Sequence, residues 1–369
     1  MAAHSSPDLN IKKIEIWPVD IELTNDFVIS KGIISVAKNL FIKICLKNGT
    51  VGYGEIAPFT EITGENRETC YQKACALTEH LRGRSVSSYR LLSRLMNKLE
   101  PELPAVRCGF ETAILDALCR SLGLPLWAFW GGAMKENLTT DITIPIGTRE
   151  HSLELAQQWY RRGFRTFKVK VGINPEEEVK VVQGIFETFP GVWFIFDANQ
   201  GFTREEAIMF ITRAKSLGLQ ILVFEQPINK DDLEGMSLIR QETSIPVGAD
   251  ESVTTLQDAR RVIKALAADV INLKIMKSGV IETLDIAACA SCAGLQLMIG
   301  GMVETRLAMG LSLSLAMGLG TIQLIDLDTP LLMKHDPLQG GYGYDGPLLG
   351  TWNAPGLGIE PVQTPHEKG

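Results

Sequence analysis

Residues 193–225 read WFIFDANQGFTREEAIMFITRAKSLGLQILVFE. Two short apolar runs, Trp193–Asp197 and Ile221–Glu225, flank a segment that opens on Thr203-Arg204-Glu205-Glu206, the pattern of a helix capping box. A run that is apolar throughout, and not alternating, reads as a parallel strand covered on both faces. Each run ends in a carboxylate, Asp197 or Glu225. The same unit recurs outward in both directions: TFKVK at 166–170, PVGAD at 246–250 and VINLK at 270–274. Their last residues, Lys170, Asp197, Glu225, Asp250 and Lys274, follow one another at 24 to 28 residues, about what a strand, a helix and two loops consume. Asp141–Ile146 precedes them, and LQLMIGG (295–301) and TIQLIDLD (321–328) follow, which makes eight strands. The period predicts an α/β fold of the TIM-barrel (β/α)8 type, and no GxGxxG follows any strand to favour a dinucleotide-binding sheet.

Such a barrel carries its chemistry at the C-terminal ends of its strands. A single Asp or Lys there is usually solvated or caps a helix, but five at equivalent positions of consecutive units are hard to obtain that way. Asp197, Glu225 and Asp250 are a set of hard oxygen donors suited to Mg²⁺ or Mn²⁺, whereas zinc would want His or Cys. Lys168 and Lys170 share one face of their strand, and Lys274 comes from the other side of the carboxylates. Two amines on opposite faces of a metal-held carboxylate suit removal of an α-proton on one face and its return on the other. Lys168 is the cation expected to tune Lys170 toward the neutral base.

The whole chain bounds the rest. At 369 residues, with 45% hydrophobic and 21% charged residues, it has room for a barrel and a smaller unit with a sizeable core. A net charge of -7 disfavours a nucleic-acid surface. There is no apolar run of membrane-spanning length, and MAAHSSPDLN has no basic segment leading into an apolar one, so a cytoplasmic protein is expected. Seven scattered cysteines read as reduced, and Cys289 and Cys292 as buried packing despite their CxxC spacing.

Residues 11–56 alternate as strands with a turn at Asn48-Gly49, and residues 65–130 turn helical. The expected organisation is an α+β capping domain over 1–130, the barrel over 131–330, and a Gly- and Pro-rich segment, 331–369, packing back on the cap.

The motifs TFKVK, FDANQG, FEQP, GADES, NLKIMKSG and GGMVET, in this order and spacing, resemble the enolase superfamily in its muconate-lactonizing branch. The resemblance covers essentially the whole chain. It implies a (β/α)7β barrel under an α+β cap, Asp197, Glu225 and Asp250 as ligands of Mg²⁺ or Mn²⁺, Lys170 and Lys274 as the acid/base pair, and Lys168 and Glu251 in support. Asp326-Leu327-Asp328, at the end of the eighth strand, offers two carboxylates for an ammonium group. A DxD at this place is similar to that of the dipeptide epimerases, where it holds the α-ammonium, so a dipeptide is the expected substrate and a homo-oligomer the expected assembly. The alternatives are an N-acylamino acid racemase, an o-succinylbenzoate synthase or a muconate cycloisomerase, and, more remotely, a non-catalytic metal-binding barrel. Side-chain choice in such enzymes comes from two cap loops, here Thr24–Gly32 and Ile56–Gly64. Relatives acting on L-Ala-L-Glu carry an arginine near the end of the first loop. This chain has Lys31 there, which is expected to bind substrate as only a partial substitute because it lacks the bidentate fork, and Phe27, Val28 and Ile29 are expected to line an apolar pocket, so a hydrophobic or mixed dipeptide is expected.

Overall fold

The computed structural model describes residues 8–132 and 138–363. The first seven residues, part of the segment read above for a leader, and the last six of the C-terminal segment lie outside them. Three antiparallel strands open the fold: β1 (Ile11–Ile29), β2 (Gly32–Leu46) and β3 (Val51–Ile56). The β2–β3 turn falls at Asn48-Gly49, where Gly49 takes the left-handed φ of 88° that a residue without Cβ adopts at no steric cost. Helices Arg67–Leu81, Tyr89–Leu99 and Pro104–Leu122 follow. The last is buried almost all round because it lies directly on β3: a Cβ at Gly54 would stand 2.0 Å from the Gly109 carbonyl oxygen.

After β4 (Leu138–Thr139) come the eight barrel strands β5 (Ile142–Ile144), β6 (Thr166–Lys170), β7 (Trp193–Asp197), β8 (Gln220–Glu225), β9 (Val247–Ala249), β10 (Val270–Leu273), β11 (Gln296–Ile299) and β12 (Leu324–Ile325). They pair in parallel in sequence order. The ends meet where the Asp141 N–H donates to the Ile325 carbonyl at 3.1 Å. Several strands are shorter than the runs suggest. The last holds only two residues, so Asp326 and Asp328 lie just beyond it, as Asp250 and Lys274 lie just beyond theirs.

Strand alternation sorts the side chains. Ile195, Val223, Val270 and Met298 turn inward and form a separate apolar plug. Counting on by twos from that plug gives Asp197, Glu225, Asn272 and Lys274. The outward set, including Phe196 and Phe224, packs on Phe210 of the helix Arg204–Ser216, with ring centroids 5.1 and 5.9 Å apart. That helix does begin with the Thr203/Glu206 capping box.

The C-terminal segment contacts the cap at several points. Arg120 pairs with Glu360 at 2.9 Å, the Leu357 N–H donates to Asp116 at 2.7 Å, and the Trp127 indole donates to the Trp352 carbonyl at 2.8 Å. One expectation fails: Cys292 is exposed and Cys289 only half-buried. They sit on the outer side of the helix Val280–Cys292, whose buried stripe runs through Ile286, Ala287 and Ala290. Among the described residues no helix is long and apolar enough to cross a membrane.

Candidate active site

Asp197, Glu225 and Asp250 each offer a carboxylate oxygen within 4.8 Å of the others, and all three are fully buried. Their spacing follows from topology, since Asp197 and Glu225 end the neighbouring strands β7 and β8 and Asp250 directly follows β9. Gln226, at the unusual φ of 35°, braces them: its side-chain oxygen accepts the N–H of Asp250 at 3.0 Å and of Ser252 at 3.1 Å. Asn272, two residues before Lys274 on the inner face, donates to Glu225 at 2.7 Å.

Lysines surround the carboxylates. Lys170 Nζ stands 2.6 Å from Asp197, and Lys274 Nζ 2.6 Å from Asp250. With β6 and β10 four strands apart in a ring of eight, the two amines approach from opposite sides. Lys168 lies deeper and is shared among Asp326 (2.7 Å), Glu225 (2.8 Å) and Asp197 (3.1 Å). Lys277, quoted in NLKIMKSG without a role, donates to the Asp250 carboxylate at 2.6 Å and to the carbonyls of Asp250 and Asn272 at 2.5 and 2.8 Å.

This lattice sets the charges. Burial would raise Asp197, yet Lys170, Lys168 and Lys274 outweigh it and hold the carboxyl at about 2. Asp250 goes the same way under Lys274 and Lys277. Burial, with Asp197 and Asp250 as like-charged neighbours, lifts Glu225 and Glu251 to about 7. Burial opposes the ammonium of Lys274, but Asp250 overcomes it and holds that pKa up. Three buried carboxylates from consecutive strands, with oxygens within 4.8 Å of one another, are chemically suited to hold a hard divalent cation.

Asp326 and Asp328 enter the same cavity, together with Thr143, Lys168, Lys170, Asn199 and Lys274. Asp328 accepts the Thr143 N–H at 2.6 Å. Glu251 lies behind, accepting from Asn199 at 3.3 Å. The roof is Phe27, Ile29, Phe59, Ile62, Met302 and Val303. Here the expectation needs correcting. Thr24–Gly32 is largely strand, the end of β1 and its turn into β2, so alternate residues face the cavity. Phe27 and Ile29 do, while Val28 faces away, its carbonyl accepting the Ile146 N–H at 3.1 Å, and Lys31 is exposed outside the lining. Ser30, at the turn, donates to the carbonyls of Ala198 and Asn199 at 2.9 and 3.1 Å, which fastens the cap to the rim.

Sequence reading missed Asp141, Lys277, Met302, Val303 and Glu304. The last is buried, accepts the Met302 N–H at 2.7 Å and is pushed by burial up to about 8. GGMVET carried the signal for three of the five. A wider groove of about 750 Å³, between Trp17–Asp20 and His335–Pro337, gathers no buried charged side chain.

A cap of three strands and helices over a parallel eight-stranded barrel, with carboxylates and lysines converging at the strand ends, is the build of an enolase-type enzyme. Residues 13–131 match the mandelate racemase / muconate lactonizing enzyme N-terminal domain and residues 151–364 the enolase C-terminal domain-like family. The chain belongs to this family. It is 40% identical over 354 residues to an L-Ala-D/L-amino acid epimerase of Populus trichocarpa, covering 94% of this chain and 84% of that one. It is 38% identical over 350 residues to an aromatic dipeptide epimerase of Herpetosiphon aurantiacus, covering 95% and 98%. Among solved structures, a dipeptide epimerase from Enterococcus faecalis complexed with Mg and the dipeptide L-Leu-L-Tyr superposes with a TM-score of 0.92 at 31% identity, over 95% of this chain and 99% of that one.

Proposed function

We propose that the protein is a dipeptide epimerase that inverts the α-carbon of the C-terminal residue of an L,L-dipeptide, with preference for an apolar side chain there. The observation that carries this reading is the placement of Lys170 and Lys274 across one cavity, with the Asp197–Glu225–Asp250 trio and Asp326 and Asp328 between and beside them. When bound by Asp197, Glu225 and Asp250, Mg²⁺ or Mn²⁺ would supply the positive charge that stabilises the substrate carboxylate as it takes up a second negative charge.

The chain's own groups do the rest. One lysine, as the neutral amine, takes the α-proton to its Nζ. The other, as the ammonium, delivers a proton to the opposite face of the same carbon, so the two lysines exchange protonation states in each inversion. Asp250 beside Lys274 favours its ammonium form, which suits the donor role. Lys168 and Asn199 flank Lys170, Asn199 accepting from it at 3.3 Å. Asp326 and Asp328 pair with the substrate α-ammonium. Phe27, Ile29, Phe59, Ile62, Met302 and Val303 keep water from the side chain. An N-acylated amino acid lacks the ammonium that two buried carboxylates call for, which argues against the N-acylamino acid racemase reading. Homo-oligomeric assembly is carried over from the resemblance and is tested by light scattering, and a cytoplasmic location is the expectation from the sequence pattern.

The test is incubation of L,L-dipeptide mixtures with enzyme and Mg²⁺ in D₂O, with mass spectrometric detection of α-deuterium. Incorporation confined to the C-terminal residue of apolar dipeptides is expected. Failure of every dipeptide to incorporate deuterium would sink the reading.

A further inference from the structure

Asp141, the residue before β5, has no part in the reaction as described. It is 2% exposed, and neither of its carboxylate oxygens meets a hydrogen-bond donor. Its neighbours are the wrong sign. One oxygen each from Asp141, Asp326 and Asp328 lie within 4.8 Å of one another, and an oxygen of Asp328 is likewise without a partner. The cation facing the trio is Lys168, already divided among Asp326, Glu225 and Asp197. The other polar groups at hand include Thr143, whose N–H and side chain both bond Asp328, and the Thr140 hydroxyl, which accepts the Leu327 N–H at 2.8 Å.

Three ionised carboxylates this close and this buried repel one another with little solvent screening, and the cheapest relief is a shared proton. We infer that Asp141 is held as the neutral carboxylic acid, its hydroxyl donated to Asp326, so that the subsite presents two negative charges and not three to the substrate ammonium. The position of Asp141 selects it as the one that keeps the proton. Burial, then Asp326 and Asp328, drive its carboxyl far above the usual range, whereas Asp328, which accepts from the Thr143 backbone, rises only to about 6.

Asp141 thereby acts as a positioning residue. Its hydroxyl fixes one lone pair of Asp326 and turns the others toward Lys168 and the ammonium, so its effect falls on KM more than on kcat. The inference rests on Asp326 and Asp328 being the ammonium site, and the experiment separates the two. Asp141→Asn, Asp141→Leu and Asp326→Asn are compared with wild type as Mg²⁺-loaded enzymes, by kinetics on the best L,L-dipeptide and by infrared spectroscopy at neutral pH without substrate. The amide is a neutral donor of the same shape, so Asp141→Asn should stay within about threefold of wild type in KM, while Asp141→Leu raises KM by about tenfold or more, the cost of one lost hydrogen bond to a charged group. Wild type should show the carbonyl band of a protonated carboxylic acid that Asp141→Asn lacks. A KM for Asp141→Asn as high as for Asp326→Asn, or the same infrared spectrum in wild type and Asp141→Asn, overturns the inference. If the band behaves as expected but no dipeptide is turned over, the proton on Asp141 stands and the dipeptide reading falls.

Discussion

The Nζ of Lys170, on the second barrel strand, lies 5.7 Å from the centre of the Phe27 ring, on the first strand of the cap. One aromatic face thus borders both the Lys170 amine and the apolar roof of the cavity. Truncating it removes apolar lining and a cation–π contact together. Phe27→Ala should lower kcat/KM for an apolar dipeptide by roughly tenfold to a hundredfold. Most of that loss should sit in KM, with a smaller fall in kcat from the altered Lys170 environment, and steady-state kinetics on one dipeptide separates the two.

The proposed mechanism has Lys170 and Lys274 each address one face of the α-carbon, so their variants are expected to fail differently. Lys170→Ala and Lys274→Ala should both lose epimerisation. Each should still exchange the α-proton of the one epimer that faces the surviving lysine, and the two variants should differ in which epimer that is. Measuring deuterium uptake separately from L,L and L,D substrates checks this, and epimerisation retained by either variant contradicts a two-base mechanism.

The carboxylate trio should make activity strictly dependent on a divalent ion. Chelation is expected to abolish turnover, and Mg²⁺ or Mn²⁺ to restore it. Asp197→Asn, Glu225→Gln and Asp250→Asn should each cost about 4 kcal/mol of transition-state stabilisation, roughly a thousandfold in rate. Titration calorimetry with Mg²⁺ should show weakened binding in all three, and full activity after exhaustive chelation would contradict the assignment.

How much of this is legible in the chain depends on which periodicity a residue obeys. Asp197, Glu225, Asp250 and Lys274 end apolar runs of constant spacing, so their convergence can be read from position alone. Asn272 is legible in principle, two residues before Lys274 on the same face. Asp141 is not, because it precedes its strand. Barrel shear brings the start of β5 level with Ile325 at the end of β12, a cross-sheet offset that one strand cannot reveal. Val28 was misplaced for a different reason: taking Thr24–Gly32 as a loop hides the alternation that sends Phe27 and Ile29 in and Val28 out. Met302 and Val303 sit in an irregular turn held by Glu304, where no period applies.

Glu65 gives a pH test away from the metal site. It is buried in the cap beside the segment that carries Phe59 and Ile62, and accepts the Ala105 N–H at 3.0 Å. Burial raises its pKa from 4.5 to about 7. The folded state therefore binds this proton more tightly than the unfolded chain, so its contribution is full below pH 4.5 and is lost as pH rises through 7. The amount lost is on the order of 3 kcal/mol. Urea unfolding of wild type between these limits should show a decline in stability that Glu65→Gln, permanently neutral, does not share. Parallel pH profiles for the two proteins would contradict it.

Specificity is the sharpest test of the cap. The six roof residues Phe27, Ile29, Phe59, Ile62, Met302 and Val303 carry no charge, and Lys31 is exposed in the turn. A glutamate side chain directed at this roof would surrender its hydration without a partner, a penalty of at least 1 to 3 kcal/mol by the usual cost of an unpaired buried polar group, roughly. A leucine or phenylalanine side chain would gain by burying apolar area instead. L-Ala-L-Leu and L-Ala-L-Phe should therefore exceed L-Ala-L-Glu in kcat/KM by about one to two orders of magnitude. Lys31→Ala should leave that order unchanged, since the amine does not line the cavity. If L-Ala-L-Glu is instead preferred and Lys31→Ala abolishes the preference, the turn at Ser30-Lys31 folds inward over bound substrate and the apolar-pocket assignment is wrong, while the lysine pair and the carboxylates keep their roles.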